Sequence, residues 1–323
     1  MLEHGGRLRR AAQQYAIPLA DWVDLSTGIN PFACPLPAVP AEAWQRLPED
    51  DDGLAEAAAA FYGSPLLLPV AGSQAAIQAL PACFPAGRVV TLAPTYAEHP
   101  HAWRDHQLVA LPAARMDAAV TDADTVLLVQ PNNPDGQRFP REQLLDWRAR
   151  LAARGGRLIV DEAFLDAEPG DSLVPLAGTP GLVVLRSLGK FFGLAGARVG
   201  FVFAEPALLA ALAERLGPWP ISGPARVVAT AALADRAWQA AAREQLQAGS
   251  RRLAALLDRH GLTGGAGTAL FQWRPTPAAA GIHARLAEQG ILTRLFASPA
   301  GLRFGLPGSE TEWGRLQAAL ARL

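Results

Sequence analysis

The sequence predicts an α/β fold, with a mostly parallel central sheet in a large domain and a smaller α+β domain after it. Five apolar runs rich in Val and Leu support the sheet, at residues 88–92, 125–130, 157–160, 182–185 and 199–203. Such near-continuous runs are typical of parallel strands that are buried on both faces. Helical stretches lie between them, and in residues 141–154 the apolar side chains recur at helical spacing. This alternation predicts right-handed crossovers.

The chain changes character after Pro224, near the expected boundary of the second domain. The Ala-, Leu- and Arg-rich region 225–260 predicts one or two helices that end at Gly261. Further elements are predicted as strands at 269–274, 291–294 and 302–306 and as helices at 278–289 and 309–323. We expect an N-terminal arm over residues 1–25 that packs near the active site with the small domain, a large α/β domain over 26–230 and a small α+β domain over 231–323.

Composition argues against several classes of protein. The 323 residues carry a formal net charge of −1, which disfavours a general nucleic-acid binder. A run of about 18 apolar residues, as a membrane-spanning helix needs, is missing, and the N-terminal segment lacks the apolar core of a signal peptide. Cys34 and Cys83 are too few for a disulfide framework or a zinc site. We therefore expect a cytoplasmic protein with no metal.

Lys190 is the first candidate for a catalytic residue. It lies in a Gly-rich segment after the apolar run 182–185, with Ser187 before it and Arg198 after it. This arrangement suits pyridoxal 5′-phosphate, because a lysine amine can form a Schiff base with the aldehyde while a hydroxyl and a guanidinium bind the phosphate. A surface lysine in a loop is the alternative, since Ser-x-x-Lys alone is a weak signal.

Two further groups match needs of the same cofactor. Asp161 follows the strand 157–160, and a carboxylate there could keep the pyridine nitrogen protonated. It could equally cap the next helix. Asn133 follows the strand 125–130 and could donate a hydrogen bond to the phenolic oxygen O3′. Its surroundings also predict a turn, and both roles are compatible.

The phosphate and the ring of the cofactor have candidates as well. Gly72, Ser73 and Gln74 precede an apolar helical stretch, so their amides and the Ser73 hydroxyl could bind an anion. An ordinary N-cap would have the same sequence. Tyr96 follows the strand 88–92 and could stack on the pyridine ring, or it could be a core tyrosine. All these groups follow predicted parallel strands, where open α/β sheets bind ligands.

With these motifs in order, the chain resembles the fold-type I pyridoxal-phosphate enzymes of the class I/II aminotransferase superfamily, close to histidinol-phosphate aminotransferases. The resemblance extends from Ser-Thr-Gly-Ile-Asn-Pro at 26–31 to Leu-Arg-Phe at 302–304. It implies that Lys190 is the Schiff-base lysine, Asp161 the pyridinium partner and Arg303 the residue that binds the substrate carboxylate. It implies the roles given above for the remaining cofactor residues: Gly72, Ser73, Gln74, Tyr96, Asn133, Ser187 and Arg198. It also implies a homodimer with active sites at the subunit boundary.

The chain departs from this family's pattern at two positions. Phe164 stands where the family commonly has tyrosine, so one donor to O3′ is lost. Leu47 stands where many relatives have a tyrosine that reaches the phosphate in the partner subunit. We expect the phosphate site of this chain to depend less on the neighbouring subunit.

The N-terminus indicates a subgroup. His4, Gly5 and Gly6, together with the segments 26–31 and 186–192, resemble L-threonine-O-3-phosphate decarboxylases, which supply the aminopropanol phosphate of the cobalamin nucleotide loop. The resemblance implies that substrate contacts come from six residues: His4, Gly5, Gly6, Asn30, Arg294 and Arg303. An imidazole and consecutive glycine amides can bind a second phosphate. A frayed terminus is the alternative for the first residues.

Other functions are weighed against this one. An aminotransferase acting on histidinol phosphate or a related substrate would need the same cofactor residues. A ligand sensor would need a DNA-binding domain that the chain has no room for, and a dinucleotide-binding motif is missing. One histidine-rich segment resembles a metal site, with Glu98, His99, His101, Asp105 and His106. Pro100 interrupts the helix and no pair has the H-E-x-x-H pattern, so we expect a solvated or entrance-lining segment.

Overall fold

The computed structural model describes residues 2–323. It divides into two compact units, each of which is described by itself. The first unit contains the chain up to Phe32, Pro134–Gly136 and Ala241–Leu323, and the second contains Ala33–Asn133 and Gln137–Ala240. Among the described residues, no helix is long and apolar enough to cross a membrane.

The helices and strands are numbered along the chain. The helices are α1 (Leu8–Tyr15), α2 (Glu42–Gln45), α3 (Leu54–Tyr62), α4 (Ser73–Ala79), α5 (Glu98–Ala102), α6 (Ala113–Ala119), α7 (Arg141–Ala152), α8 (Pro206–Leu216), α9 (Gly223–Ala234), α10 (Arg236–Arg259), α11 (Ala279–Ala287) and α12 (Glu310–Leu320). The strands are β1 (Val23–Asp24), β2 (Leu67–Val70), β3 (Arg88–Leu92), β4 (Gln107–Leu111), β5 (Thr125–Val129), β6 (Arg157–Asp161), β7 (Leu182–Ser187), β8 (Gly200–Phe203), β9 (Gly267–Thr268), β10 (Phe271–Pro275), β11 (Ile291–Leu292), β12 (Arg294–Ala297) and β13 (Ala300–Gly305).

A seven-stranded sheet forms the centre of the second unit, in the order β2-β8-β7-β6-β5-β3-β4. The strands β7, β6, β5, β3 and β4 pair in parallel, which confirms the predicted mostly parallel sheet. Every residue of β5 and β7 is buried. Their apolar sequences therefore reflect burial on both faces, as expected when helices cover a parallel sheet.

The strand β8 differs from the prediction, because it pairs antiparallel with both β7 and β2. Its apolar run 199–203 suits a buried strand of either direction. The connection from β7 to β8 contains only turns and one short 3-10 helix, Ala195–Ala197. A parallel neighbour would need a long crossover, so this short connection requires the reversed direction. β2 in turn runs in the same direction as β7.

The first unit contains two small sheets. β1 pairs in parallel with β11, and a four-stranded antiparallel sheet has the order β12-β13-β10-β9. The predicted strands 269–274 and 302–306 correspond to β10 and β13, shifted by one or two residues. The predicted strand 291–294 is divided between β11 and β12, and the region 225–260 forms two helices, α9 and α10.

A buried ion-pair network lies where β6 and β7 end. The guanidinium of Arg186 is 3.1 Å from Glu162 Oε2 and 3.0 Å from Asp166 Oδ1, and all three side chains are almost fully buried. The hydroxyl of Ser172 donates to Glu162 Oε2, and Arg186 Nη2 donates to that hydroxyl at 2.8 Å. Burial raises the pKa of Glu162, although Arg186 opposes this effect. Because Glu162 follows Asp161 and Arg186 precedes Ser187, the network fixes the ends of both strands.

Replacing Arg186 tests this network. We expect Arg186→Leu to lower the free energy of unfolding by about 3–5 kcal/mol, because two buried carboxylates lose their cation. Urea denaturation measures the change. The matched control is Arg150→Leu, which removes the exposed pairs with Asp117 and Asp146 and should cost about 0–1 kcal/mol. Equal losses in the two variants would contradict the role given to burial.

Candidate active site

The candidate cofactor residues meet at one edge of the large sheet. β2, β3, β5, β6 and β7 run in one direction, so their carboxyl ends share an edge, which is where such sheets bind ligands. A cavity of about 100 Å³ lies there. Its lining contains eight of the residues singled out in the sequence: Ser73, Gln74, Tyr96, Asn133, Asp161, Ser187, Lys190 and Arg198. The structure therefore brings these eight together, while their individual roles stay predictions.

One end of this cavity is suited to an anion. Arg198 has a left-handed backbone with φ of 55°, uncommon for a residue with a side chain. Its guanidinium passes so close to Gly72 that a Cβ there would lie 2.6 Å from Nη2. Gly72 itself has φ of 72°, a backbone conformation that favours glycine. Ser73, which begins α4, and Ser187 add hydroxyl groups to the same cavity.

Asp161 supplies a buried carboxylate at the end of β6. Its Oδ1 accepts from the Ala163 N–H at 3.0 Å, which stabilises a turn after the strand. The alternative that Asp161 caps the next helix is wrong, because that helix, the 3-10 helix Leu165–Ala167, has Phe164 at its N-cap and no side-chain capping bond. Oδ2 of Asp161 lies 2.9 Å from Nε2 of His99, whose side chain is 1% exposed. A carboxylate with both oxygens engaged is held in one orientation, as a partner for a ring nitrogen must be.

For His99 the prediction of a solvated or entrance-lining segment is wrong. α5 begins directly after Ala97 and turns His99 into the interior, where it contacts Asp161, while His101 stays exposed. Within residues 2–323, no group of three His, Cys, Asp or Glu side chains could hold a metal ion. The sequence held one signal that His99 faces the site. His99 lies three residues after the candidate Tyr96, and the two ring centroids are 6.1 Å apart.

Glu98, from the same segment, contacts a cofactor candidate. Its Oε2 accepts from Gln74 Nε2 at 2.9 Å and from Gln78 Nε2 at 3.2 Å. Gln74 Oε1 in turn lies 3.4 Å from the Tyr96 hydroxyl, which donates to it. This chain of hydrogen bonds orients the amide of Gln74 and connects it to the aromatic ring predicted to stack on the cofactor.

Asn132 is a further positioning residue that the sequence did not single out. Its side chain is fully buried, with Nδ2 donating to the Pro94 carbonyl and Oδ1 accepting from the Thr95 hydroxyl, both at 2.9 Å. These bonds join the loop after β3 to the loop after β5. Tyr96 and Asn133, which are neighbours of these residues, are thereby held at fixed positions.

Lys190 lies in the same cavity, facing Phe164. Its Nζ is 5.5 Å from the centroid of the Phe164 ring, which is close enough for a cation–π contact. At the position where the family commonly has a tyrosine hydroxyl, this chain therefore presents an apolar ring to the lysine.

The candidates at the N-terminus pack against Ser26 in the first unit. A Cβ on Gly5 would lie 2.2 Å from the Ser26 carbonyl oxygen, so only glycine fits there. The Gly6 N–H donates to Ser26 Oγ at 2.7 Å, and Arg303 Nη2 donates to the Ser26 carbonyl at 2.9 Å. Ser26, which the sequence analysis did not select, thus connects the His-Gly-Gly segment to the candidate carboxylate-binding arginine.

The two candidate arginines are cross-strand partners. Arg294 on β12 is directly opposite Arg303 on β13, and opposite residues of an antiparallel pair share a face of the sheet. Arg294 Nη2 donates to the Glu3 carbonyl at 2.6 Å. His4 and Gly5 line a separate cavity with Arg294. Asn30 is buried, and its Oδ1 accepts from the Phe32 N–H at 2.8 Å, which stabilises a turn.

Comparison with known proteins gives consistent matches. The sequence profile "Aminotransferase class I and II" matches residues 20–321. A threonine-phosphate decarboxylase of Pseudomonas aeruginosa is 56% identical over 99% of this chain and 97% of its own length. One from Sinorhizobium sp. is 44% identical over 99% and 98%. A histidinol-phosphate aminotransferase from Sinorhizobium meliloti, solved with pyridoxal-5′-phosphate, superposes with a TM-score of 0.86 over 99% of this chain and 95% of its own, at 23% identity.

The bond between His99 and Asp161 can be tested by substitution. We expect His99→Gln to weaken the binding of pyridoxal 5′-phosphate by roughly tenfold, the effect of one hydrogen bond to a charged group. Equilibrium dialysis with the visible absorbance of bound cofactor measures this affinity. The control is His101→Gln, an exposed position on α5. If both variants bind the cofactor like the unmodified chain, His99 does not position Asp161.

Proposed function

Because this chain belongs to the aminotransferase class I and II family, we propose that it decarboxylates L-threonine O-3-phosphate with pyridoxal 5′-phosphate. The product is (R)-1-amino-2-propanol O-2-phosphate, which serves the nucleotide loop of cobalamin. The observation that carries the proposal is the 56% identity, over almost the whole of both chains, to a protein named threonine-phosphate decarboxylase. With two free cysteines and a small phosphorylated substrate, the proposed setting is the cytoplasm.

The cavity of the second unit fits the cofactor. Ser73, Ser187, Arg198 and the amides after Gly72 would hold its phosphate. The lack of space for a Cβ at Gly72 shows how closely the guanidinium approaches the backbone there. Asp161 would hold the ring nitrogen, Asn133 would donate to O3′ and Tyr96 would stack on the ring. When bound, pyridoxal phosphate supplies an electron sink for the pair of electrons left when carbon dioxide departs.

The proton transfers and the positioning of the cofactor are then assigned to residues of the chain. The Asp161 carboxylate keeps a proton on the ring nitrogen, and His99 keeps that carboxylate in place. With the cofactor bound, Lys190 Nζ would hold it covalently and would be the group that returns a proton to Cα of the substrate. Phe164, whose ring faces this amine, has no hydroxyl that could exchange a proton with it.

Substrate contacts are proposed for the residues of the first unit. Arg303, with Arg294 opposite it, would bind the carboxylate, a pairing that a planar guanidinium favours. His4, Gly5 and Gly6 would bind the phosphate of the side chain, and Asn30, which stabilises the turn to Phe32, is a further proposed substrate contact. The residues that orient the substrate carboxylate would select decarboxylation over transamination, because they would decide which bond at Cα is placed for cleavage.

The deciding assay follows carbon dioxide. We expect purified, cofactor-loaded protein to release carbon dioxide catalytically from L-threonine O-3-phosphate without any oxo-acid acceptor. Lys190→Ala, the control, should lose both the release and the absorbance of the linked cofactor, because the chain has no other amine at this position. Amino transfer from histidinol phosphate to 2-oxoglutarate, without carbon dioxide release, would contradict the proposed decarboxylase and indicate an aminotransferase.

We also propose that the chain forms a homodimer. Two adjacent segments of the second unit expose large apolar side chains: Trp44 is 71% exposed, Leu47 63% and Trp219 55%. The segments are joined closely, because Gly223 at the start of α9 has no room for a Cβ against the Ala43 carbonyl, 2.2 Å away. A cluster of exposed aromatic and aliphatic side chains is typical of an interface core.

Charge substitution tests the dimer. We expect light scattering to give the mass of two chains for the unmodified protein and of one chain for the double variant Trp44→Glu, Leu47→Glu, because charges are excluded from an interface core. Leu19→Glu changes another exposed leucine, in the first unit, and should leave the dimer intact. A double variant that stays dimeric would place the interface elsewhere.

A further inference from the structure

A second cavity, of about 180 Å³, lies in the first unit and extends beyond the His-Gly-Gly segment. We call it the N-terminal cleft. Its walls come from three parts of the unit: the N-terminal segment with α1, His283 on α11, and Thr293 with Arg294 where β11 is followed by β12. Two of these residues, Arg7 and His283, were not selected in the sequence.

The cleft is strongly cationic. Arg7, Arg10 and Arg294 line it, and among the described residues of its lining Glu3 is the one acid. The Arg294 side chain is 19% exposed, and its Nη1 is 3.9 Å from Glu3 Oε2, whereas the Glu3 side chain is 71% exposed. The acid therefore lies largely in solvent, and it neutralises at most one of three guanidinium groups.

Arg7 lies at the start of α1. Arg7 occupies the N-cap position, and its side chain makes no capping bond to the first turn; its Nη2 donates to the Leu2 carbonyl at 3.2 Å. An anion in the cleft would thus meet the Arg7 guanidinium beside the face of α1 that carries Arg10, Ala11 and Gln14.

His283 is fixed on the facing side. Its Nδ1 lies 2.8 Å from Thr293 Oγ1, so the ring cannot rotate without losing that bond. Burial lowers the pKa of His283, and the neighbouring Arg294 lowers it further, while Glu3 opposes both. The ring is therefore a positioned hydrogen-bonding group beside a permanent cation.

We propose that Arg7 and His283 determine the specificity of this enzyme for a doubly charged phosphate monoester on the side chain of its amino-acid substrate. The proposal rests on the proposed function and adds two residues to the substrate contacts named above. The Arg7 guanidinium and the His283 imidazole line the cleft from two different walls, together with His4 and Gly5, and such donors suit the oxygens and the charge of a phosphate. A carboxylate or a hydroxyl in this volume would leave part of the positive charge unpaired.

The test separates phosphate recognition from other effects. In the cofactor-loaded enzyme, Arg7→Gln and His283→Gln should each raise KM for L-threonine O-3-phosphate by about tenfold or more, the loss of one charge-assisted hydrogen bond. Inhibition by unphosphorylated L-threonine and the affinity for pyridoxal 5′-phosphate should stay unchanged. The controls are Arg9→Gln, exposed on α1, and His260→Gln, and neither residue lines the cleft.

Two results would overturn the inference. One is an unchanged KM in both variants. The other is an equal weakening of L-threonine O-3-phosphate and L-threonine, which would indicate a structural effect. Calorimetric binding of L-threonine O-3-phosphate distinguishes this from failure of the proposed function. If the unmodified enzyme releases no carbon dioxide, yet its binding depends on Arg7 and His283, the cleft binds phosphate and the proposed reaction is wrong.

Discussion

The buried pairing of Arg186 with Glu162 and Asp166 is the interaction on which the rest of the second unit depends. Side chains alternate along a strand, so a residue that faces the cofactor cavity is next to one that faces away. Asp161 and Ser187 line the cavity, and Glu162 and Arg186 are their chain neighbours. The ion pair therefore fixes the distance between the Asp161 carboxylate and the Ser187 hydroxyl, although Glu162 and Arg186 do not line the cavity themselves.

Charge taken out of water is costly unless it is paired and hydrogen-bonded, and the network supplies such bonds from several segments. Among the described residues, only the Nε of Arg186 in this network has no hydrogen-bond partner. Ser172 and the Leu173 N–H both donate to Glu162, and the Tyr62 hydroxyl lies 3.4 Å from Asp166 Oδ2. Helix α3, the turns after β6 and the strand β7 are thereby connected through one guanidinium. In the first unit Ser26 has a comparable role on a smaller scale, since it joins the glycines of the N-terminus to Arg303.

The sequence was sufficient to predict that the residues following the strands lie together, because the carboxyl ends of parallel strands must meet at one edge of the sheet. This is why Tyr96, Asn133, Asp161 and Ser187, which are far apart along the chain, could be assigned to one site. The direction of β8 could not be read from its apolar residues, since burial leaves the same pattern in either direction. His99 was misjudged because a histidine-rich segment resembles a solvated surface until the adjacent Asp161 is known.

Residues that act through tertiary contact were missed for a related reason. Asn132 and Ser26 have ordinary turn-forming sequences, and their importance comes from what approaches them: the loop of Thr95 in one case and Gly5 with Arg303 in the other. Arg7 and His283 are separated by most of the chain, and the resemblance to known families was carried by other residues. The local sequence pattern gives no information about such tertiary contacts.

The reversed strand β8 has a consequence for the segment that carries Lys190. Ser187 on β7 is paired with Gly200 on β8, and the Leu188 N–H donates to the Val199 carbonyl, so the segment leaves the sheet and returns to it at the same point. It is a closed loop with both ends fixed. The serine at its entrance and the arginine near its exit both line the cofactor cavity, because the paired strands hold the two ends of the loop at one edge of the sheet. A change in the number of residues between these ends would displace Lys190 from that cavity, even if every side chain of the loop were kept.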